Sequence, residues 1–204
     1  MEAGVLAFAL ISLAGSLVYV AVVVALHVLP TGYDLVHNAV SDYGVGQYAP
    51  LFRVSLWAGS IAVLALTIGL TLEPGAPPLL TRSLVFLGLV AACRIGESLF
   101  PTTVEGQKLT RTGALHYLFA ILTFGFTYAA ISDLTPDLVK LYPWHAHHGL
   151  LDWLSGAILV GLILVIATLL PRLRRVFGLC ERFFLLVTYG WLGLVAWLLA
   201  VKAA

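Results

Sequence analysis

Residues 149–170 read GLLDWLSGAILVGLILVIATLL. This run of 22 residues has one ionisable side chain, Asp152, and lacks the polar face that a helix of a water-soluble domain presents to solvent. A bilayer core takes about 20 apolar residues of helix. Five further segments meet the same test: Ala3–Leu29, Leu51–Leu72, Leu79–Leu99, Gly113–Leu134 and Gly178–Val201. Their apolar runs are continuous, without the apolar/polar alternation of membrane-barrel strands. Helices are then the remaining way to satisfy backbone polar groups in lipid. Breakers fall between or at the ends of these segments: Pro30, Pro50, Pro74-Gly75, Pro77-Pro78, Pro101, Pro136, Pro143 and Pro171. The expected fold is all-α: one transmembrane domain over residues 1–204, a polytopic membrane helix bundle with about six transmembrane helices.

Composition agrees. The 204 residues are 61% hydrophobic and 10% charged, with a mean hydropathy of +1.01, whereas soluble domains carry about 25% charged residues. A net charge of +1 gives no reason to expect nucleic acid as a partner. Cys93 and Cys180 form neither a CxxC pair nor a disulfide framework. The first apolar run is too long for a signal-peptide core and has no basic residues before it, so it reads as a retained first span. Arg53, Lys108, Arg111, Arg172, Arg174, Arg175 and Arg182 follow spans one, three and five, against Arg82, Lys140 and Lys202 on the other side. The positive-inside rule then predicts a multi-pass cell-membrane protein with odd-numbered loops cytoplasmic and both termini outside. Small residues four apart, Ala58/Ala62 and Ala157/Gly161, suit close helix contacts and open a route to oligomers.

Three constellations stand out against this apolar background. The loop from Pro30 to Pro50 is long for a compact bundle. Its Tyr33–Ser41 stretch has helical spacing, with Asp34, His37, Asn38 and Ser41 on one side. That side reads either as the wet face of an interfacial helix or as an Asp34–His37–Ser41 relay with His37 as base. At the end of span three, Arg94 and Glu97 are three apart and share a helix face. His116 enters span four at similar depth, so the three are expected either to meet in a buried polar cluster or to resolve into an Arg94–Glu97 ion pair and a histidine bonded to backbone. Finally, His145, His148 and Asp152 have spacings that would place two imidazoles and a carboxylate on one helix face, as in an open metal triad. The competing reading is a polar boundary with Trp144 as an interfacial anchor. No cofactor is expected; a divalent metal at these three residues is the alternative.

His37-Asn38-Ala39-Val40-Ser41-Asp42-Tyr43-Gly44, then Leu99-Phe100-Pro101-Thr102-Thr103, then Thr110 to His116 with Gly113, form a recognisable series. The chain resembles a six-span bacterial and archaeal membrane family known as a domain of unknown function, DUF 998. The resemblance implies a Ser-Asp pair after span one at Ser41 and Asp42, a Phe-Pro turn at Phe100 and Pro101, and an early span-four histidine at His116. It also implies an aspartate after the turn, where this chain has Thr103.

The leading expectation is a polar pocket on the odd-loop face, lined by His37, Ser41, Asp42, Arg94, Glu97 and His116, that binds a membrane lipid or other amphiphile. Arg94 suits an anionic headgroup. Two alternatives remain open: a membrane-embedded hydrolase using Ser41 or a metal-bound water, and a non-catalytic scaffold or assembly factor. The sequence does not decide whether the protein is an enzyme.

Overall fold

A computed structural model describes residues 2–73, 81–104 and 106–204. Six long helices account for most of them: α1 (Glu2–Val28), α2 (Ala49–Leu72), α3 (Thr81–Leu99), α4 (Arg111–Leu138), α5 (His148–Ala167) and α6 (Phe177–Ala203). Among the described residues there is no strand. Each helix packs on the next in sequence, α6 closes the ring onto α1, and α2 also touches α6. The α2 and α6 faces are the most enclosed.

In α1 and α5 burial runs along one stripe of helices whose sequences are apolar nearly all round. In α1, Val5, Ala9, Ser12, Ser16, Tyr19 and Leu26 are buried, while Leu10, Leu17, Val24 and Val28 face outward. In α5, Leu151, Leu154, Ile158, Gly161 and Val165 are buried, while Trp153, Val160, Ile163 and Ile166 are exposed. In water each such exposed side chain would forgo about 25 cal/mol per Å² of apolar area; lipid removes that cost. Five helical segments are long and apolar enough to cross a membrane. The exception is α3, which is 19 residues long and carries Arg82, Arg94 and Glu97. At 1.5 Å per residue it is still about 28 Å long. The expected start of its span at Leu79, with the breakers Pro74-Gly75 and Pro77-Pro78, lies outside the described residues.

Boundaries otherwise shift by a turn or less. Helix α4 runs on to Leu138, with Pro136 in its last turn. The small-residue pairs serve contacts within the chain. A Cβ on Gly15 would lie 2.8 Å from Ala58 O and 3.0 Å from Ala62 Cβ, and one on Gly161 would lie 3.0 Å from Phe184 Cα. Trp144 is fully buried, under the Lys202 ammonium at 5.4 Å, rather than anchoring the chain in the interface.

Candidate functional site

The turn between α3 and α4 is clasped by hydroxyls. Thr110 N–H donates to Thr103 Oγ1 at 3.1 Å, and the two threonine hydroxyls are 2.9 Å apart. Thr110 also caps α4 by accepting from Gly113 N–H at 3.0 Å. Tyr117 O–H donates to Thr103 O at 2.7 Å. A Cβ on Gly113 would come within 1.9 Å of Thr103 Oγ1, so the clasp closes only over glycine. Thr103, which stands where the resemblance implied an aspartate, thus acts as an acceptor at the start of α4.

This clasp sets His116. Its Nδ1 lies 2.8 Å from Phe100 O and 3.2 Å from Glu97 O. A carbonyl only accepts, so Nδ1 carries the hydrogen and, in the neutral ring, Nε2 carries the lone pair. That Nε2 is buried without a hydrogen-bond partner. His116 shares a cavity wall with Ser41, Arg94, Glu97 and Glu181. The free space is about 20 Å³ for water centres, enough for a water molecule and too little for a headgroup while the site stays closed.

The expected Arg94–Glu97 pair does not form among the ion pairs of the described residues. Arg94 instead lies over the stacked rings of Tyr19 and Tyr189, 5.2 and 5.5 Å from their centroids. A ring face attracts a cation in a dry site and competes with the carboxylate for the guanidinium. Glu97 accepts from Thr123 O–H on the neighbouring helix. Arg94 Nε is buried and unpartnered.

The loop after α1 folds back onto the bundle, and Val40 and Ser41 form part of the cavity wall. It is not the helix expected over Tyr33–Ser41. Asp34 Oδ1 accepts from the backbone N–H of Val36 at 2.8 Å and of His37 at 2.9 Å, and Asp34 N–H donates to Asn38 Oδ1 at 2.9 Å. Such local side-chain bonds outcompete helical ones, and only a short 3₁₀ turn forms, at Val40–Gly44. Helix α6 grips this loop. Glu181 accepts from Val40 N–H at 2.6 Å. Arg182 donates to Asn38 O at 2.7 Å, to Tyr43 Oη at 3.3 Å and to His27 Nε2 at 2.7 Å. Gly178 permits the contact, since a Cβ there would sit 2.2 Å from Asn38 O.

Of the residues singled out in sequence, Ser41, Arg94, Glu97 and His116 share the cavity; His37 and Asp42 do not line it. His37 is exposed and pairs with Asp34 at 2.6 Å. The hydrogen bond from His37, joined by the two backbone N–H groups, holds the Asp34 carboxyl down to about 2. Asp42 is buried and accepts from Asn38 Nδ2 at 3.0 Å. The His145 and His148 rings stack with centroids 5.7 Å apart, but each Nδ1 is on a backbone carbonyl: His145, in a 3₁₀ turn before α5, on Val139 O at 2.9 Å and His148 on His145 O at 3.0 Å. Among the described residues no three His, Cys, Asp or Glu side chains are grouped to hold a metal ion.

Tyr19, Tyr189, Glu181 and the hydrogen bond from Arg182 to His27 were not foreseen from the sequence. The signal for two of them was present: Glu181-Arg182 is a charged doublet inside an apolar run, where ionisable residues mark function by default. The tyrosines carried no such mark.

A family model described as a protein of unknown function (DUF998) matches residues 13–198. No curated protein and no solved structure matches the chain.

Proposed function

The chain belongs to the DUF998 family, and we propose that its cavity is a binding site for the polar head of a membrane lipid or other amphiphile, covered by the first loop. One observation carries this reading. A donor, Arg94 Nε–H, and an acceptor, His116 Nε2, are buried in the same cavity wall with no partner in the protein. An unsatisfied buried polar group costs about 1–3 kcal/mol, and a bound headgroup would satisfy both. Glu97 and Glu181 share the wall with Arg94, so the charge balance disfavours a purely anionic ligand. It suits a headgroup that offers an oxygen to Arg94 and hydroxyl or ammonium hydrogens to the carboxylates. The scaffold reading expects an Arg94–Glu97 pair, and Arg94 instead lies over the Tyr19 and Tyr189 rings.

Hydrolysis is the second reading, favoured by the His116 tautomer. An Nε2 lone pair facing a water-sized cavity that Ser41 also borders is the geometry of a general base. Mass spectrometry of lipids retained by the detergent-purified protein tests both. We expect a stoichiometric intact amphiphile that is lost from Arg94→Gln. Retained cleavage products that become intact lipid in His116→Gln would favour hydrolysis, and a lipid-free parent protein would refute binding.

We further propose that the protein lies in the cell membrane with α3 as a sixth crossing, odd-numbered loops cytoplasmic and both termini outside. The basic residues Arg172, Arg174 and Arg175 after α5 support this orientation. A tag following Ala204 is then labelled in intact cells; labelling only after permeabilisation reverses the sidedness.

A further inference from the structure

The lid over the cavity is fastened at a histidine. His27 ends α1, and its Nδ1 contacts the carbonyl of Val23 one turn earlier. That nitrogen must therefore carry a hydrogen. The other nitrogen, Nε2, accepts from Arg182 Nε–H at 2.7 Å. Both bonds are satisfied together only by the neutral ring. A second proton would have to sit on Nε2, where it would confront the Arg182 N–H and place one cation against another. We propose that His27 is a proton-sensitive latch, and that its protonation releases the first loop from the cavity mouth.

The groups around the ring support this. From α6 the facing charge is Arg182, and from the loop the facing group is Tyr43, with ring centroids 5.6 Å from those of His27. The nearby carboxylates already have partners: Glu181 accepts from Val40 N–H and Asp42 from Asn38 Nδ2. Among the described residues Arg182 is the charged side chain that acts on the ring. Protonation therefore adds repulsion with no carboxylate against the ring to offset it. What moves is set by what Arg182 holds. Its guanidinium bonds Asn38 O and Tyr43 Oη and stands over the Tyr43 ring at 5.8 Å. Those residues flank Val40 and Ser41, which wall the cavity. Pushing Arg182 away from His27 thus loosens the segment between Asn38 and Tyr43. The ring is only half-buried, so protons reach it from the loop side. Acidification that puts a second proton on Nε2 therefore opens the latch. Its role in gating rests on the headgroup reading; the latch itself does not.

Hydrogen exchange of the full-length protein in nanodiscs, corrected for the pH dependence of intrinsic exchange, reads the latch without any ligand. Exchange of amides 36–44 should rise on the order of tenfold between about pH 8 and about pH 4.5, from loss of a charged hydrogen bond. Protection of α5 should stay unchanged and serves as the folding control. His27→Gln keeps an acceptor for Arg182 and cannot be protonated, so its loop should stay protected at both pH values. His27→Lys carries a permanent cation and should leave the loop exchanging fast at both. A parent loop whose exchange ignores pH overturns the proposal, and so does a His27→Gln loop that keeps the full pH response. Lipid retained by a protein with a pH-insensitive loop removes the latch alone, whereas a pH-sensitive loop on a lipid-free protein removes the headgroup reading alone.

Discussion

The two ends of the bundle spend their charges differently. At the end where α2, α4 and α6 finish, cations and anions find each other. Arg82 meets Asp133 at 2.6 Å, Lys140 meets Asp137 at 2.8 Å and Lys202 meets Glu73 at 2.6 Å. At the end where α1, α3 and α5 finish, Arg94, Glu97, His116 and Glu181 are all buried, and none of them has an ion-pair partner among the described residues. Paired charges at a rim hold helix ends together and ask for nothing further. Buried charges left with spare hydrogen-bonding capacity cost stability, and a fold retains that cost where something else uses the capacity.

The comparison breaks most visibly at Arg94. Arg94→Ala removes a buried cation from two ring faces and leaves Glu97 without a nearby positive charge, for which a loss of about 3 kcal/mol is expected. Lys202→Ala leaves Glu73, which is buried, without its partner and should cost about 1–2 kcal/mol. Arg82→Ala removes a pair whose cation is mostly in solvent and should cost about 0–1 kcal/mol. Thermal unfolding in one detergent ranks the three. Equal losses at Arg82 and Arg94 would erase the distinction between the ends.

That distinction was half legible in the sequence. Periodicity and proline placement located the helices because lipid demands long apolar runs and leaves little room for other backbone structure. The grouping of Ser41, Arg94, Glu97 and His116 followed from topology alone: each lies at an end of a span or in a loop on the same side of the bundle. The partner choices were not legible. Arg94 and Glu97 share a helix face, but whether a guanidinium takes a carboxylate or an aromatic pair depends on where α1 and α6 bring Tyr19 and Tyr189. Those helices are far away in sequence and uniformly apolar, so no pattern in them fixes rotation about their axes. The loop failed for a local reason. Asp34 and Asn38 fit a helical face by spacing, yet their short side chains bond to the backbone of the loop instead. The spacing of His145, His148 and Asp152 was counted on one helix, but His145 lies in the 3₁₀ turn before α5.

The smallest expected effect lies at the outer edge of the lid and sharpens the comparison, because it involves a pair that is exposed although it belongs to the buried-charge end. Asp34 and His37 are both more than half exposed, so an Asp34–His37–Ser41 relay would have its acid and base in solvent. The hydrogen bond from His37, together with the backbone N–H groups of His37 and Val36, lowers the Asp34 carboxyl from 3.8 to about 2. A depressed folded-state value means that the charged carboxylate favours the folded loop. Its contribution is fully present above the unfolded value of 3.8 and is lost as pH falls through about 2. Acidification between those values should therefore loosen residues 34–38 in the parent protein, with the α5 helix still protected. In Asp34→Asn the acid-dependent part of that loosening should vanish, because the amide accepts the same backbone hydrogen bonds without titrating. Asp34→Asn removes this transition and His27→Gln removes that of the latch, so the two are separable in one hydrogen-exchange series on the variants. A loop that changes only in the lower range would assign its pH response to Asp34 and leave nothing for His27 to explain.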